Sequence, residues 1–186
     1  MEATTLNIAY KHRFTHIIAI DPDVNLSGVA IIDLRSKELI LDNWSFPHIV
    51  DQLQAMAGKV SSQFYPKIIV EGSWLRQSRN GNSHNWHTKE GDSVAVSVAK
   101  GQSQARNQET GRRIVEMAQH YGLQAEAILP LTLTWGKDGH SKISHKEFTY
   151  FTGYTKKTNQ DARDAGLIAW IYAGYPVRVD TTNGRP

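Results

Sequence analysis

Apolar residues in this chain fall first into short runs that stop abruptly at a polar residue, and later into stretches with helical spacing. The run Ile17-Ile18-Ala19-Ile20 closes on Asp21 and predicts a buried strand over 16–21. Strands are predicted again over 28–33 and 38–42, joined by turns rich in Pro22, Asp23, Asn25 and Ser36, so the three form an antiparallel meander. Between 51 and 64 the residues Leu53, Met56, Ala57, Val60 and Phe64 recur at helical intervals, and Pro66 ends that pattern. Ile68-Ile69-Val70 then closes on Glu71, a fourth strand over 67–71. A strand reached through a helix usually lies parallel to an earlier one, and the fourth is expected beside the first. Asp21 and Glu71 would then share the carboxyl-terminal edge of the sheet, where open α/β sheets bind ligands.

The segment 72–93 is polar, with Trp74 and Trp86 interleaved among Gly, Ser, Asn and His, and reads as a long loop. A helix is expected over 102–121, with an apolar stripe of Ile114, Val115, Met117, Ala118 and Tyr121 and with Gly122 as its stop. A fifth strand follows over 126–129. Ser144 and Glu147 have capping-box spacing at the start of a helix that turns Phe148 and Phe151 inward. The last helix is expected over 161–173. The expected organisation is an N-terminal extension over 1–15, one α/β domain over 16–177 with a mixed five-stranded sheet flanked by helices, and a C-terminal tail over 178–186.

Length changes this picture little, because 186 residues suit one domain with an adequate core. No apolar run is long enough to span a membrane, and residues 1–13 lack the apolar core of a signal peptide. There is no cysteine, which excludes disulfides and thiolate zinc sites, so a cytoplasmic protein is expected. The net charge of +3 permits nucleic-acid binding without requiring it. Its distribution says more: Arg76, Arg79, Lys89, Lys100, Arg106, Arg112 and Arg113 gather in the middle third. A basic surface beside an acidic site is what a phosphodiester substrate requires.

The acids themselves carry the chemistry. A buried strand that ends in a carboxylate is costly unless the carboxylate meets a cation or another partner. Two strands do so here, at Asp21 and Glu71, and Asp161 and Asp164 stand three apart, on one face of a helix start. A shared divalent metal is the simplest common explanation. Taken singly each acid has a blander reading: Asp21 starts a turn, Glu71 pairs with a loop arginine, Asp161 caps the last helix. His84 with His87, and His140 with His145, have metal-binding spacing but no third ligand nearby, and no Walker-type loop is present.

Taken together, three motifs resemble the RuvC family of Holliday-junction resolvases, within the RNase H-like superfamily. Ile20-Asp21-Pro22-Asp23 followed by Gly28-Val29-Ala30 is similar to the first, Ile69-Val70-Glu71 to the second, and Asp161-Ala162-Arg163-Asp164-Ala165 to the last, in the same order along residues 17–172. The resemblance implies an RNase H-like fold and a Mg²⁺-dependent endonuclease that cuts four-way DNA junctions. Asp21, Glu71, Asp161 and Asp164 would hold two Mg²⁺ ions, with Mn²⁺ as a substitute, which relieves the repulsion among the four carboxylates. Asp21 would bridge the pair, and water would be the nucleophile. Lys142 falls near a lysine that the family places at the scissile phosphate, with Lys146 as its competitor for that role.

Trp74 stands three residues after Glu71, where the family carries an aromatic residue that stacks on bases at the junction centre. Its alternative is a loop anchor packed into the core. Arg76, Arg79, Lys89, Lys100, Arg106, Lys137 and Lys146 would contact DNA. Paired cuts imply a homodimer, with the stripe on the 102–121 helix as its contact, and a branch-migration helicase as a further partner. The sequence departs from the family at Asp23, which replaces a glycine, at Leu131, which replaces a basic residue found in some members, and in a long polar 72–100 loop. Two rivals stay open: an RNase H-like nuclease for a hybrid, flap or other branched substrate, and a junction-binding module without catalysis.

Overall fold

The computed structural model describes residues 13–76, 91–131 and 142–177. A five-stranded sheet, in the order β3-β2-β1-β4-β5, is built from β1 (His16–Asp21), β2 (Ser27–Asp33), β3 (Leu39–Trp44), β4 (Pro66–Glu71) and β5 (Gln124–Ile128). The first three strands form the expected antiparallel meander. β4 lies parallel to β1, and β5 parallel to β4. This is the expected mixed α/β architecture, flanked by four helices among the described residues.

The central strands are buried on both faces, and their residues alternate between two cores. Ile17, Ala19, Ala30, Ile32 and Ile69 pack under the last helix, α4 (Gln160–Tyr172), through Ala165, Ile168, Ala169 and Trp170. Ile18, Ile20, Val29, Ile68 and Val70 face the opposite side. They meet Ile49, Leu53 and Met56 of α1 (Phe46–Ala57) and Ile114 and Ala118 of α2 (Val94–His120). The short α3 (His145–Thr152) has the capping box expected of Ser144 and Glu147, and Phe148 is fully buried as anticipated. Phe151, beside it, is half-buried.

Three expected boundaries move, each for a local reason. α1 spans residues 46–57 rather than 51–64: Pro47 suits a first helical turn, Ile49 adds an earlier core contact, and a turn at Gly58 leaves Val60 exposed. α2 starts at Val94, with the Ser93 hydroxyl accepting from the Val96 amide, inside what reads as loop. Its first half is solvated on most sides and so carries no apolar stripe. β5 lies at 124–128, slightly before its expected place.

The stripe assigned to a dimer contact is used within the chain. Ile114 and Ala118 are fully buried, and Val115, Met117 and Tyr121 pack against the same core. Packing also begins before residue 16: Phe14 is buried, and the Thr15 amide donates to the Tyr65 carbonyl at 2.9 Å. The 178–186 tail and residues 1–12 lie outside the described residues. Among the described residues no helix is long and apolar enough to cross a membrane.

Candidate active site

Asp21 ends β1 and Glu71 ends β4, and the parallel register that pairs Ile20 with Val70 brings the two to one sheet edge. Counting by twos from Ala19 and Ile69 places both carboxylates on the α4 face. The two carboxyls lie close enough there for each to perturb the protonation of the other. The start of α4 is brought to the same spot by its cap, in which the Asn159 side chain accepts from the Ala162 amide at 3.0 Å. Asp161 and Asp164 lie in the first turns of that helix.

A glycine sets how close the helix comes. Gly28 stands opposite Asp21 on β2, and a Cβ there would collide with the Asp161 carbonyl and lie 2.9 Å from the Ala162 nitrogen. Three of the four acids expected to act together, Asp21, Glu71 and Asp161, line one cleft of about 290 Å³, with Lys142. Asp164 stands next to it, joined through Lys142.

The electrostatics follow from that crowding. Burial holds the Asp21 carboxyl well above the usual range, and the fields of Glu71, Asp164 and Asp161 push it further, against the opposing field of Lys142. Burial likewise raises Glu71, as does Asp164, although the Leu131 amide donates to Glu71 Oε1 at 3.3 Å and stabilises its ionised form. For Lys142, desolvation alone would favour the neutral amine. Its hydrogen bond to Asp164 and the fields of Asp164, Asp21 and Asp161 outweigh that and raise its pKa, so it stays charged.

Asp164 is held at both oxygens. The Lys142 ammonium donates to Oδ2 at 2.6 Å and the Gln160 carboxamide to Oδ1 at 2.7 Å. Among the described residues, no three His, Asp or Glu side chains are gathered as a ready metal cage. The donor chemistry nevertheless fits a hard divalent cation: the acids offer only oxygen, and the two that share the cleft edge are the ones whose charge is least tolerated.

The opposite wall comes from residues that the sequence does not single out as a group. Pro22 and Asp23 of the β1–β2 turn, Ser73 and Trp74 after β4, and Gln104 and Asn107 of α2 complete the cleft. Asn107 clasps the turn: its Oδ1 accepts from the Val24 amide at 2.9 Å, and its Nδ2 donates to Asp23 Oδ2 at 3.0 Å. Asp23 is thus a tether for α2. It also accepts from the Asn25 amide at 2.8 Å, which fixes the turn. No local pattern marks Asn107, because its partners are more than 80 positions away in sequence.

Trp74 lies in a 3₁₀ turn, Ser73–Leu75, and is half-buried rather than an exposed indole on a free loop. Its ring packs so closely on Gly111 that a Cβ there would come within 2.6 Å of it, and within 2.9 Å of Pro22. The Arg112 guanidinium stands 5.4 Å from the ring centroid. Of the basic residues expected on DNA, Lys100 is paired with Asp92 at 2.6 Å, while Arg76, Arg106 and Lys146 are exposed. Arg79, Lys89 and Lys137, and the histidines 84, 87 and 140, lie outside the described residues.

Compared with known proteins, the chain matches no family model and no curated protein. Among solved structures it is similar to Thermus thermophilus RuvC, at 15% identity and a TM-score of 0.41, over 86% of this chain and 97% of that one. It is also similar to T. thermophilus RuvC in complex with a Holliday junction substrate, at 15% identity and a TM-score of 0.39, over 83% and 90% of the two chains.

Proposed function

We propose that this chain is a divalent-metal-dependent endonuclease that resolves four-way DNA junctions by paired hydrolysis of phosphodiester bonds. The observation that carries the reading is the meeting of Asp21, Glu71 and Asp161 with Lys142 around one cleft, at the carboxyl edge of a parallel strand pair. Two carboxyls there are raised by burial and by neighbouring acids, Asp21 by Glu71 and Asp164 and Glu71 by Asp164, which supports a site that takes a cation. Asp21, Glu71, Asp161 and Asp164 would hold Mg²⁺, as two ions, with Mn²⁺ as a substitute. When bound, such ions polarise the phosphodiester and lower the pKa of water.

The chain's own residues would do the rest. Lys142, charged and beside the acids, would neutralise charge that develops on the phosphoryl oxygens. Arg76, Arg106 and Lys146 are exposed and would contact the DNA backbone. The three motifs that resemble the RuvC family supply the choice of a junction over other phosphodiesters. Paired cuts would require a twofold homodimer, and a branch-migration helicase would deliver the substrate.

The test is cleavage of a labelled four-way junction beside duplex, flap and RNA–DNA hybrid controls, with and without Mg²⁺, and with Asp21→Asn. Symmetric paired cuts on the junction, lost in the variant and without Mg²⁺, are expected. Cutting of flap or hybrid alone would replace the junction by another substrate. Junction binding without any cutting would make the chain a non-catalytic module.

A further inference from the structure

Arg163 lies between Asp161 and Asp164 in the first turns of α4, and its guanidinium makes three hydrogen bonds. Nε donates to the Ile143 carbonyl at 3.3 Å, Nη1 to the Thr158 carbonyl at 2.8 Å, and Nη2 to Gln160 Oε1 at 2.8 Å. The first fixes the backbone immediately after Lys142. The third orients the same Gln160 carboxamide whose nitrogen donates to Asp164 Oδ1. One planar fork therefore sets both groups that engage Asp164. Ile143 is buried, so the segment that bears Lys142 is anchored, while the Lys142 side chain itself is 65% exposed and free to reach elsewhere.

The ammonium thus sits on a carboxylate that the nuclease reading assigns to the metal. Each oxygen of Asp164 already holds a donor, and a divalent ion that approaches Oδ2 meets the positive charge of the Lys142 ammonium 2.6 Å from it. Asp21 and Glu71 carry no such cationic contact in the described ion pairs. We propose that Arg163 is a positioning residue that holds Lys142 on Asp164 as a built-in counter-cation, so that Lys142 and a divalent ion compete for this carboxylate. The proposal rests on the metal-dependent nuclease reading of the same site. On this account, metal entry at Asp164 releases the Lys142 ammonium toward the substrate phosphate, which couples loading of the site to readiness of the lysine. The cleft would bind its first ion at Asp21 and Glu71 more tightly than an ion that needs Asp164.

Direct binding of Mn²⁺ to the full chain, followed by the loss of its free electron paramagnetic resonance signal, tests this without reference to cleavage. Lys142→Met removes the competitor from an exposed position and should tighten the weaker Mn²⁺ site by about fivefold, the scale of a partly exposed ion pair. Lys142→Arg, which keeps the charge, should stay near wild type. Arg163→Lys keeps charge but loses the fork, and should shift binding in the same direction as Lys142→Met. In the Lys142→Met background it should add nothing, whereas a merely structural role would add its effect independently.

Unchanged or weaker Mn²⁺ binding in Lys142→Met overturns the competition while leaving the metal site in place. An Arg163→Lys protein that does not fold, or whose effect persists in the double variant, overturns the positioning role. No Mn²⁺ binding by any of these proteins, nor any difference from Asp21→Asn, overturns the nuclease reading and this inference with it.

Discussion

The backbone of Asp161 rests where a side chain on Gly28 would be: a Cβ added to that glycine overlaps the Asp161 carbonyl. Gly28 is paired with Asp21 across β1 and β2, so the missing side chain is what lets an acidic helix start meet an acidic strand end. Gly28→Ala should force α4 away from the sheet. Overpacking of a buried contact costs about 1–3 kcal/mol, and the urea midpoint should fall accordingly. Metal-dependent cleavage should fall further than stability does, because Asp161 is displaced from Asp21 and Glu71. A variant with wild-type stability and activity would show that the helix start is not fixed by this contact.

Asp21 should destabilise the fold at neutral pH when no divalent cation is present. Its folded-state pKa is raised by burial and by Glu71 and Asp164, so the folded chain binds the proton more tightly than the unfolded chain does. Stability therefore declines as pH rises from the unfolded value, about 4, through the raised folded value, and the loss is complete above it. Glu71 contributes with the same sign. With a chelator present, Asp21→Asn should melt above wild type at pH 7, and the gap should close toward pH 4. Mg²⁺ should raise the melting temperature of wild type more than that of the variant. Cleavage should drop about a thousandfold in Asp21→Asn, the scale of several kcal/mol of lost electrostatic stabilisation.

The sheet is legible in the sequence because its central strands are buried on both faces and so appear as apolar runs. Ile17 to Ile20 and Ile68 to Val70 are all but inaccessible, and each run ends at the acid that marks the edge. The crossover rule then places β4 beside β1. The first half of α2 leaves no such trace, since Val94, Val96 and Val98 are exposed and the helix reaches the core only from Gly111 onward. The acidic half of the cleft is legible for the same reason as the strands. The clasp of Asn107 on the β1–β2 turn and the fork of Arg163 are not, because they join residues by polar contacts that leave no apolar period in the sequence.

That clasp should hold the second wall of the cleft. Asn107→Ala removes the acceptor for the Val24 amide and the donor to Asp23, and should cost about 1 kcal/mol. Hydrogen exchange at the Val24 amide should accelerate. Asn107→Asp should be worse, because it sets a second carboxylate against Asp23. Combining it with Asp23→Asn reverses the roles across the contact and should recover most of the loss. Equal stability in all four proteins would mean that the turn and α2 are held by other contacts.

Trp74 separates packing from recognition. Its indole packs on Gly111, which Pro22 also approaches, and lies beneath Arg112, so Trp74→Ala should lower stability by about 2 kcal/mol, less than a fully buried tryptophan would. Trp74→Phe fills part of the space and should recover more than half of that. If the indole also stacks on a base of the bound junction, Trp74→Phe should restore much of the affinity that Trp74→Ala loses, since both rings offer a π-face. Denaturant midpoints and junction-binding titrations on the same three proteins decide between the roles. A large loss of affinity at unchanged stability would make Trp74 a stacking platform that the fold does not need, and a large loss of stability at unchanged affinity would make it only the prop that holds α2 against the β1–β2 turn.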